Sequence, residues 1–161
     1  WAVTDEIAIR GIDPVRIERG GFGGSSEDDD LLLVGNDAFA VVRLDGDRPR
    51  LVETGSWRPD DNRKVPHEVG LGDLNDDGRL DLVSLDAGTQ MADILSFSDR
   101  GRLHPMTGFT IFETKMFSGG EPREFEPRQV LVADVTGDGA DDMVLVAHDR
   151  ILVYPQSVVE P

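Results

Sequence analysis

Gly72-Asp73-Leu74-Asn75-Asp76-Asp77-Gly78-Arg79-Leu80-Asp81-Leu82-Val83-Ser84-Leu85 sets oxygen ligands, a turn glycine and an apolar strand into one short stretch. The same order of parts returns in Ala133-Asp134-Val135-Thr136-Gly137-Asp138-Gly139-Ala140-Asp141-Asp142-Met143-Val144-Leu145-Val146. Both read D-x-[NT]-x-D-G-x-x-D followed by a mostly apolar run. One such match is weak, because Asp, Asn and Gly collect in turns for their own reasons. Two in the same order make a cation-binding β-repeat the reading that organises the chain.

The chemistry follows from ligand hardness. Side chains at the first, third, fifth and ninth loop positions, with a main-chain carbonyl at the seventh, offer a hard cation oxygens at the roughly 2.3 to 2.6 Å that calcium takes. The first loop supplies Asp73, Asn75, Asp77, the Arg79 carbonyl and Asp81; the second supplies Asp134, Thr136, Asp138, the Ala140 carbonyl and Asp142. Two Ca2+ ions are expected. Magnesium suits these loops less, since it demands a tighter octahedron and keeps several waters. Gly78 and Gly139 fall where the chain must turn sharply back toward the ion, a backbone that glycine adopts without a side-chain clash. The competing reading is a solvated hairpin with no ion, and it weighs more on the second loop, where Thr136 is the weaker ligand.

An EF-hand loop opens with the same letters and fails at its far end. It needs a bidentate Glu at its twelfth position, where this chain has Ser84 and Leu145. The residues after the ninth position are short, β-branched and soon ended by Asp-Ala-Gly or His-Asp, which describes strands and not an exiting helix.

The stretches Asp73 to Val83 and Asp134 to Val144 resemble the FG-GAP/VCBS repeats of integrin α-chain heads and many bacterial secreted proteins. In that family the loop joins the first two strands of a β-propeller blade and binds calcium. The resemblance therefore implies an all-β fold of β-propeller-type repeats, about four strands to a blade. It covers two units well and a third in outline.

Length and composition agree with one repeat domain. The 161 residues suffice for a core that buries roughly 70% of the unfolded surface. There is no cysteine, so neither disulfides nor thiol chemistry contribute. The net charge of −16 arises from 32 acids against 16 bases, and two divalent ions would leave the chain acidic still. That charge argues against nucleic acid and anionic membrane surfaces as partners. No apolar run reaches the roughly 18 residues of a membrane span. The chain begins at Trp1 and not at Met, the start expected of a processed or excised piece.

Three units are expected, at about 13–57, 65–114 and 126–161, with 1–12 as a preceding or closing strand. Pro14-Val15-Arg16-Ile17, Pro66-His67-Glu68-Val69 and Pro127-Arg128-Gln129-Val130 open them. The first unit has Gly20 to Asp30 where the others have a metal loop; it keeps the final Asp30 and the strand Leu31 to Gly35 and has lost the D-x-[NT]-x-D-G order. The acidic residues Glu27 to Asp30 are read as a solvated loop, with loose ion binding as the alternative. Further strands are expected at Ala38 to Leu44, Arg50 to Thr54, Met91 to Phe97, Phe109 to Thr114 and Arg150 to Tyr154, with turns at 45–47 and 98–102. No window holds a helical stripe.

Three units do not close a ring, since propellers generally need about four or more blades. The expected partners are therefore the remaining blades of a longer chain, or other copies of it. The longer connections, Gly55 to Val65 with Trp57 and Arg58, and Lys115 to Glu126 with Met116, Phe117 and Phe125 beside Arg123, are where a ligand is sought. An aromatic in such a loop more often covers its own core. Catalytic motifs are absent: there is no Gly-x-Ser-x-Gly elbow, His-Glu-x-x-His, P-loop or Rossmann fingerprint. His67, His104 and His148 are scattered, with His148 expected at the surface. The resemblance implies an extracellular or periplasmic, non-catalytic calcium-binding module for a glycan, protein or matrix partner. Its alternative is part of a propeller-type polysaccharide lyase, since similar repeats build the catalytic propellers of some of those enzymes.

Overall fold

A computed structural model describes residues 2–3, 5–20, 22, 30–44, 48–98, 102–112 and 125–156. Among them the protein is all-β. Its strands are β1 (Arg16–Gly20), β2 (Asp30–Val34), β3 (Ala38–Arg43), β4 (Arg50–Ser56), β5 (Pro66–Gly72), β6 (Asp81–Asp86), β7 (Met91–Phe97), β8 (Leu103–Thr110), β9 (Gln129–Ala133), β10 (Asp142–Ala147) and β11 (Arg150–Tyr154). They form three meander sheets in the orders β1-β2-β3-β4, β5-β6-β7-β8 and β9-β10-β11. Short aliphatic, β-branched runs such as Asp-Leu-Leu-Leu-Val and Asp-Met-Val-Leu-Val-Ala suit the middle of a sheet buried on one or both faces. Consecutive antiparallel strands of this length, repeated, are the construction of propeller blades.

The chain divides into two compact units, Trp1–Arg58 with Phe97–Leu103, and Pro59–Ser96 with His104–Pro161. The first unit holds the β1-β2-β3-β4 sheet. Leu32, Val34, Phe39 and Val41 share one of its faces by register and are buried. The Phe39 ring lies edge-on to Phe97 at 5.3 Å and stacks on Trp57 at 6.5 Å. Trp57 therefore covers its own core.

In the second unit β5 lies beside β9, so the first strands of two successive sheets are neighbours. Val83, Leu85 and Ala92 of one sheet meet Val130, Met143 and Leu145 of the other in a single buried cluster. Glycine makes the approach possible. A Cβ on Gly70 would stand 2.9 Å from Val130 Cγ1, too close for carbon against carbon.

Two expectations need correction. Residues 2–3 and 5–12 form no strand, and Val3 is exposed. The ladder begins only at Val15, whose N–H donates to the Val34 carbonyl at 2.8 Å, and β2 is already paired on both sides. The fourth strand of the second sheet runs over Leu103–Thr110 and not from Phe109 to Thr114. Pro105 is accommodated because β8 is the last strand in its sheet order, where a missing N–H can face away from the ladder. The loop 21–29 apart from Phe22, the turn at 45–47, residues 99–101 and the connection 113–124 with Met116, Phe117 and Arg123 lie outside the described residues.

Candidate metal centre

Each D-x-[NT]-x-D-G-x-x-D loop spans the first hairpin of its sheet. Gly72 opposite Asp81 and Ala133 opposite Asp142 are the last paired residues before the chain leaves the ladder. The ninth-position aspartate of each motif is thus the first residue of a central strand, and both are fully buried.

The first loop is wound around its own carboxylates. Asp73 accepts from the amides of Asp77 at 3.1 Å and Gly78 at 2.7 Å. Asn75 Oδ1 accepts from the Asp77 amide at 3.0 Å, and Asp77 from that of Arg79 at 3.0 Å. Gly78 has a φ of 78°, and no atom would touch an added Cβ, so conformation and not space requires glycine here. Beneath the loop, Asp81 Oδ2 accepts from the Leu74 amide at 3.0 Å, while Oδ1 is buried with no hydrogen-bond partner. Burial holds this carboxyl above the usual carboxylate range; the Ser96 hydroxyl and the Leu74 amide pull against that, and the charges of Asp77 and Asp73 push it higher. A buried carboxylate oxygen without a donor, pushed upward by the charges of Asp77 and Asp73, is a group that a cation would stabilise.

The second loop is wound the same way and meets a different end. Asp134 accepts from Gly137 at 2.6 Å and Gly139 at 3.0 Å, and Asp138 from Ala140 at 3.1 Å. Gly137 and Gly139 have φ of 80° and 91°. Asp142 has both oxygens engaged: Oδ2 accepts from Val135 and Thr136, and Oδ1 from Gln156, each at 3.0 Å. Burial raises its pKa, yet these amides and the Thr136 hydroxyl outweigh burial and hold it below the usual range. The chain has already supplied donors that the first loop lacks. Among the described residues no three His, Asp or Glu side chains form a ready-made metal cluster, because the loop carboxylates face backbone amides.

Two features escaped the sequence pattern. Asp141, outside the ligand set, accepts the Asp73 amide through Oδ2 at 2.9 Å and so ties one loop to the other. In the first sheet, Asp30 occupies the place of Asp81 and Asp142 and is equally buried. There the Arg43 guanidinium grips it through Nε at 2.8 Å and Nη2 at 3.2 Å. The signal was available: Arg43 is the first charged residue after the apolar run of β3 and stands directly opposite Asp30.

The histidines do not gather. His67 Nε2 lies 2.6 Å from the Pro127 carbonyl, and His104 is exposed on β8. His148, expected at the surface, is half-buried against Phe112 at 5.2 Å, and its amide donates to Glu126 at 2.9 Å.

These sheets and loops describe an all-β repeat protein of blade-like meanders, a scaffold compatible with a non-catalytic binding module. No protein-family model matches the chain, and no curated protein matches it. Among solved structures it is similar to the crystal structure of the WD40 domain of SCAP from fission yeast, with a TM-score of 0.46 and 12% identity. That match covers 84% of this chain, which spans 28% of the length of the other. No helix among the described residues is long and apolar enough to cross a membrane.

Proposed function

We propose that the chain is a calcium-stabilised, non-catalytic binding module of the FG-GAP/VCBS kind, working outside the cytoplasm on a glycan, protein or matrix partner. The observation that carries the calcium reading is the donor-less, buried Oδ1 of Asp81 under a loop that presents Asp73, Asn75 and Asp77. Asp73, Asn75, Asp77, Asp81 and the Arg79 carbonyl would hold one ion. Asp134, Thr136, Asp138, Asp142 and the Ala140 carbonyl would hold a second, more weakly, because Asp142 already has donors on both oxygens. A bound ion supplies the positive charge that the Asp81 carboxylate lacks, and the chain supplies a turn already wound by its amides.

The location is inferred from the ligand set: loops with three carboxylates can be tuned to fill at the millimolar calcium found outside cells. The test is thermal unfolding in EDTA, in millimolar calcium and in millimolar magnesium. The reading expects a rise in midpoint specific to calcium. Equal midpoints in all three would overturn it and leave two self-sufficient Asp-rich hairpins on an acidic β-scaffold.

A further inference from the structure

Asp30, Asp81 and Asp142 hold the same place in their sheets. Each begins the second strand, each is fully buried, and each stands opposite the last paired residue of the strand before it, Gly20, Gly72 or Ala133. Directly opposite residues of an antiparallel pair carry their side chains on one face, within reach of each other. The residue on the other side, where the third strand passes the aspartate, therefore decides much of what the carboxylate meets.

That place is filled differently in each sheet. In the first it is Arg43, which pairs with Asp30 in the ladder and donates to both of its oxygens, from Nε at 2.8 Å and from Nη2 at 3.2 Å. In the second it is Ser96, which pairs with Asp81 and carries no charge, and among the described residues Asp81 Oδ1 meets no donor. In the third, Met143 pairs with Tyr154, so the register puts Pro155 opposite Asp142, and the donor to Oδ1 is the Gln156 amide at 3.0 Å. The hairpin sequences divide along the same line. The two sheets without a cation at this place have the D-x-[NT]-x-D-G-x-x-D loop, and the sheet with Arg43 keeps only the final aspartate of that pattern.

Building on the calcium reading of the first loop, we infer that the residue paired with the buried aspartate on the third strand determines whether the hairpin depends on a divalent cation, and that Ser96 is the residue that leaves the first loop open to one. A buried carboxylate with neither counter-charge nor donors is costly, so each sheet must answer it. A guanidinium and a divalent ion serve the same oxygens, and either one beside the carboxylate repels the other. Arg43 is the built-in counterpart of the ion, and it keeps Asp30 neutralised where calcium is absent. Ser96 is too short and uncharged to do so for Asp81. Pro155 leaves Asp142 to a backbone amide, the intermediate case. Calcium dependence is thereby set from outside the loop, by a residue that is not among the ligands.

Ser96→Arg in the whole chain tests this, by calcium titration calorimetry and by thermal melts in EDTA and in millimolar calcium. Wild type should bind two ions and melt higher in calcium. Ser96→Arg should bind one, show a smaller calcium-dependent rise, and melt in EDTA at or above the wild-type midpoint. The EDTA midpoint separates the two explanations of a lost ion, since an arginine that merely disrupted the hairpin would lower it. A variant that still binds two ions, or that loses one and melts below wild type in EDTA, overturns the inference. Ser96→Ala, neutral and small, should keep both ions, and loss of one there overturns it too. Ser96 is buried, so Ser96→Lys, with the same charge on a slimmer side chain, is measured beside the arginine variant and read by the same outcomes. Loss of far-ultraviolet circular dichroism in both would show that the place accepts no side-chain cation, which also overturns the inference. A wild type whose midpoint ignores calcium is a separate failure, because it removes the calcium reading itself and Ser96's role with it.

Discussion

The backbone amide of Asp73, the first residue of one candidate calcium loop, donates to Oδ2 of Asp141, the eighth residue of the other, at 2.9 Å. One hydrogen bond therefore ties the two loops together. Gly72 permits it, since a side chain there would stand 2.9 Å from the same Asp141 oxygen. A charged acceptor in a half-buried hydrogen bond contributes about 1 to 3 kcal/mol. Asp141→Ala is expected to lower stability by that order and to shrink the calcium-dependent gain of the first loop, although Asp141 is not among its ligands. Asp141→Asn, which keeps an acceptor oxygen, should restore most of it. Calcium titration by calorimetry alongside thermal melts would check both, and equal behaviour of Asp141→Ala and wild type would show that the loops act separately.

Ligand removal should be resolved loop by loop. Asp77→Ala and Asp138→Ala are each expected to remove one calcium ion from the measured stoichiometry. An ion at a hundred times its dissociation constant stabilises the folded state by about 2.7 kcal/mol. The loss should be larger for Asp77→Ala, because the first loop sits over the donor-less Oδ1 of Asp81 and the second over an Asp142 with donors on both oxygens. The reverse ranking would mean that a pre-satisfied aspartate makes the better site.

The first sheet should ignore calcium at Asp30. Arg43 already provides a bidentate cation for that buried carboxylate. Breaking a buried pair from one side costs about 3 to 5 kcal/mol. Arg43→Met should therefore destabilise the first unit by that order, seen as faster amide exchange across β2 and β3. Added calcium should not restore the protection, since the strand supplies Asp30 in a place built for the Arg43 guanidinium.

Much of this was legible in the sequence, and the limits have physical causes. Asp73 to Leu85 and Asp134 to Val146 announce a loop and the strand after it, because ligand spacing, the turn glycine and the β-branched run are all local. Met91–Phe97 and Arg150–Tyr154 fall where period-two alternation places them. What failed were properties set by neighbours. Leu103–Thr110 is a strand that accommodates Pro105 because it lies at an edge, and residues 2–3 and 5–12 form no strand although they alternate. The Arg43–Asp30 pair and the Asp73–Asp141 bridge depend on register and on packing between sheets, neither of which is written in residue spacing. Whether the loop carboxylates meet a cation or their own amides is likewise a tertiary matter.

One pH effect has a definite sign. Arg63 donates to Asp61 through its side chain and its backbone amide and lowers that carboxyl from 3.8 to about 2. A depressed acid stabilises the fold above its unfolded pKa, and the contribution fades as pH falls from about 4 toward 2. An NMR titration should place Asp61 near the lower value and return it close to 3.8 in Arg63→Ala. Asp61 is at the surface, so the effect on global stability should be small.

Two glycines of the first hairpin separate conformation from space. Gly78 has a φ of 78° with nothing within 4 Å of an added Cβ, whereas Gly72 lies in an ordinary strand and would drive a Cβ into Val132 Cγ1 and to 2.8 Å from its Cβ. Gly78→Ala should cost about 1 kcal/mol through backbone strain. Gly72→Ala should cost about 1 to 3 kcal/mol through overpacking between β5 and β9. The two causes predict opposite responses to a second change. Val132→Ala makes room beside residue 72, so in the Gly72→Ala background it should cost less than it does alone, or even recover stability. In the Gly78→Ala background the two losses should simply add, since residue 78 touches nothing there. Denaturant melts of the six proteins give the coupling directly. Additivity at Gly72 would mean that the close approach of β5 to β9 is relieved by movement of the strands, and that the glycine is dispensable to the sheet packing on which both loops stand.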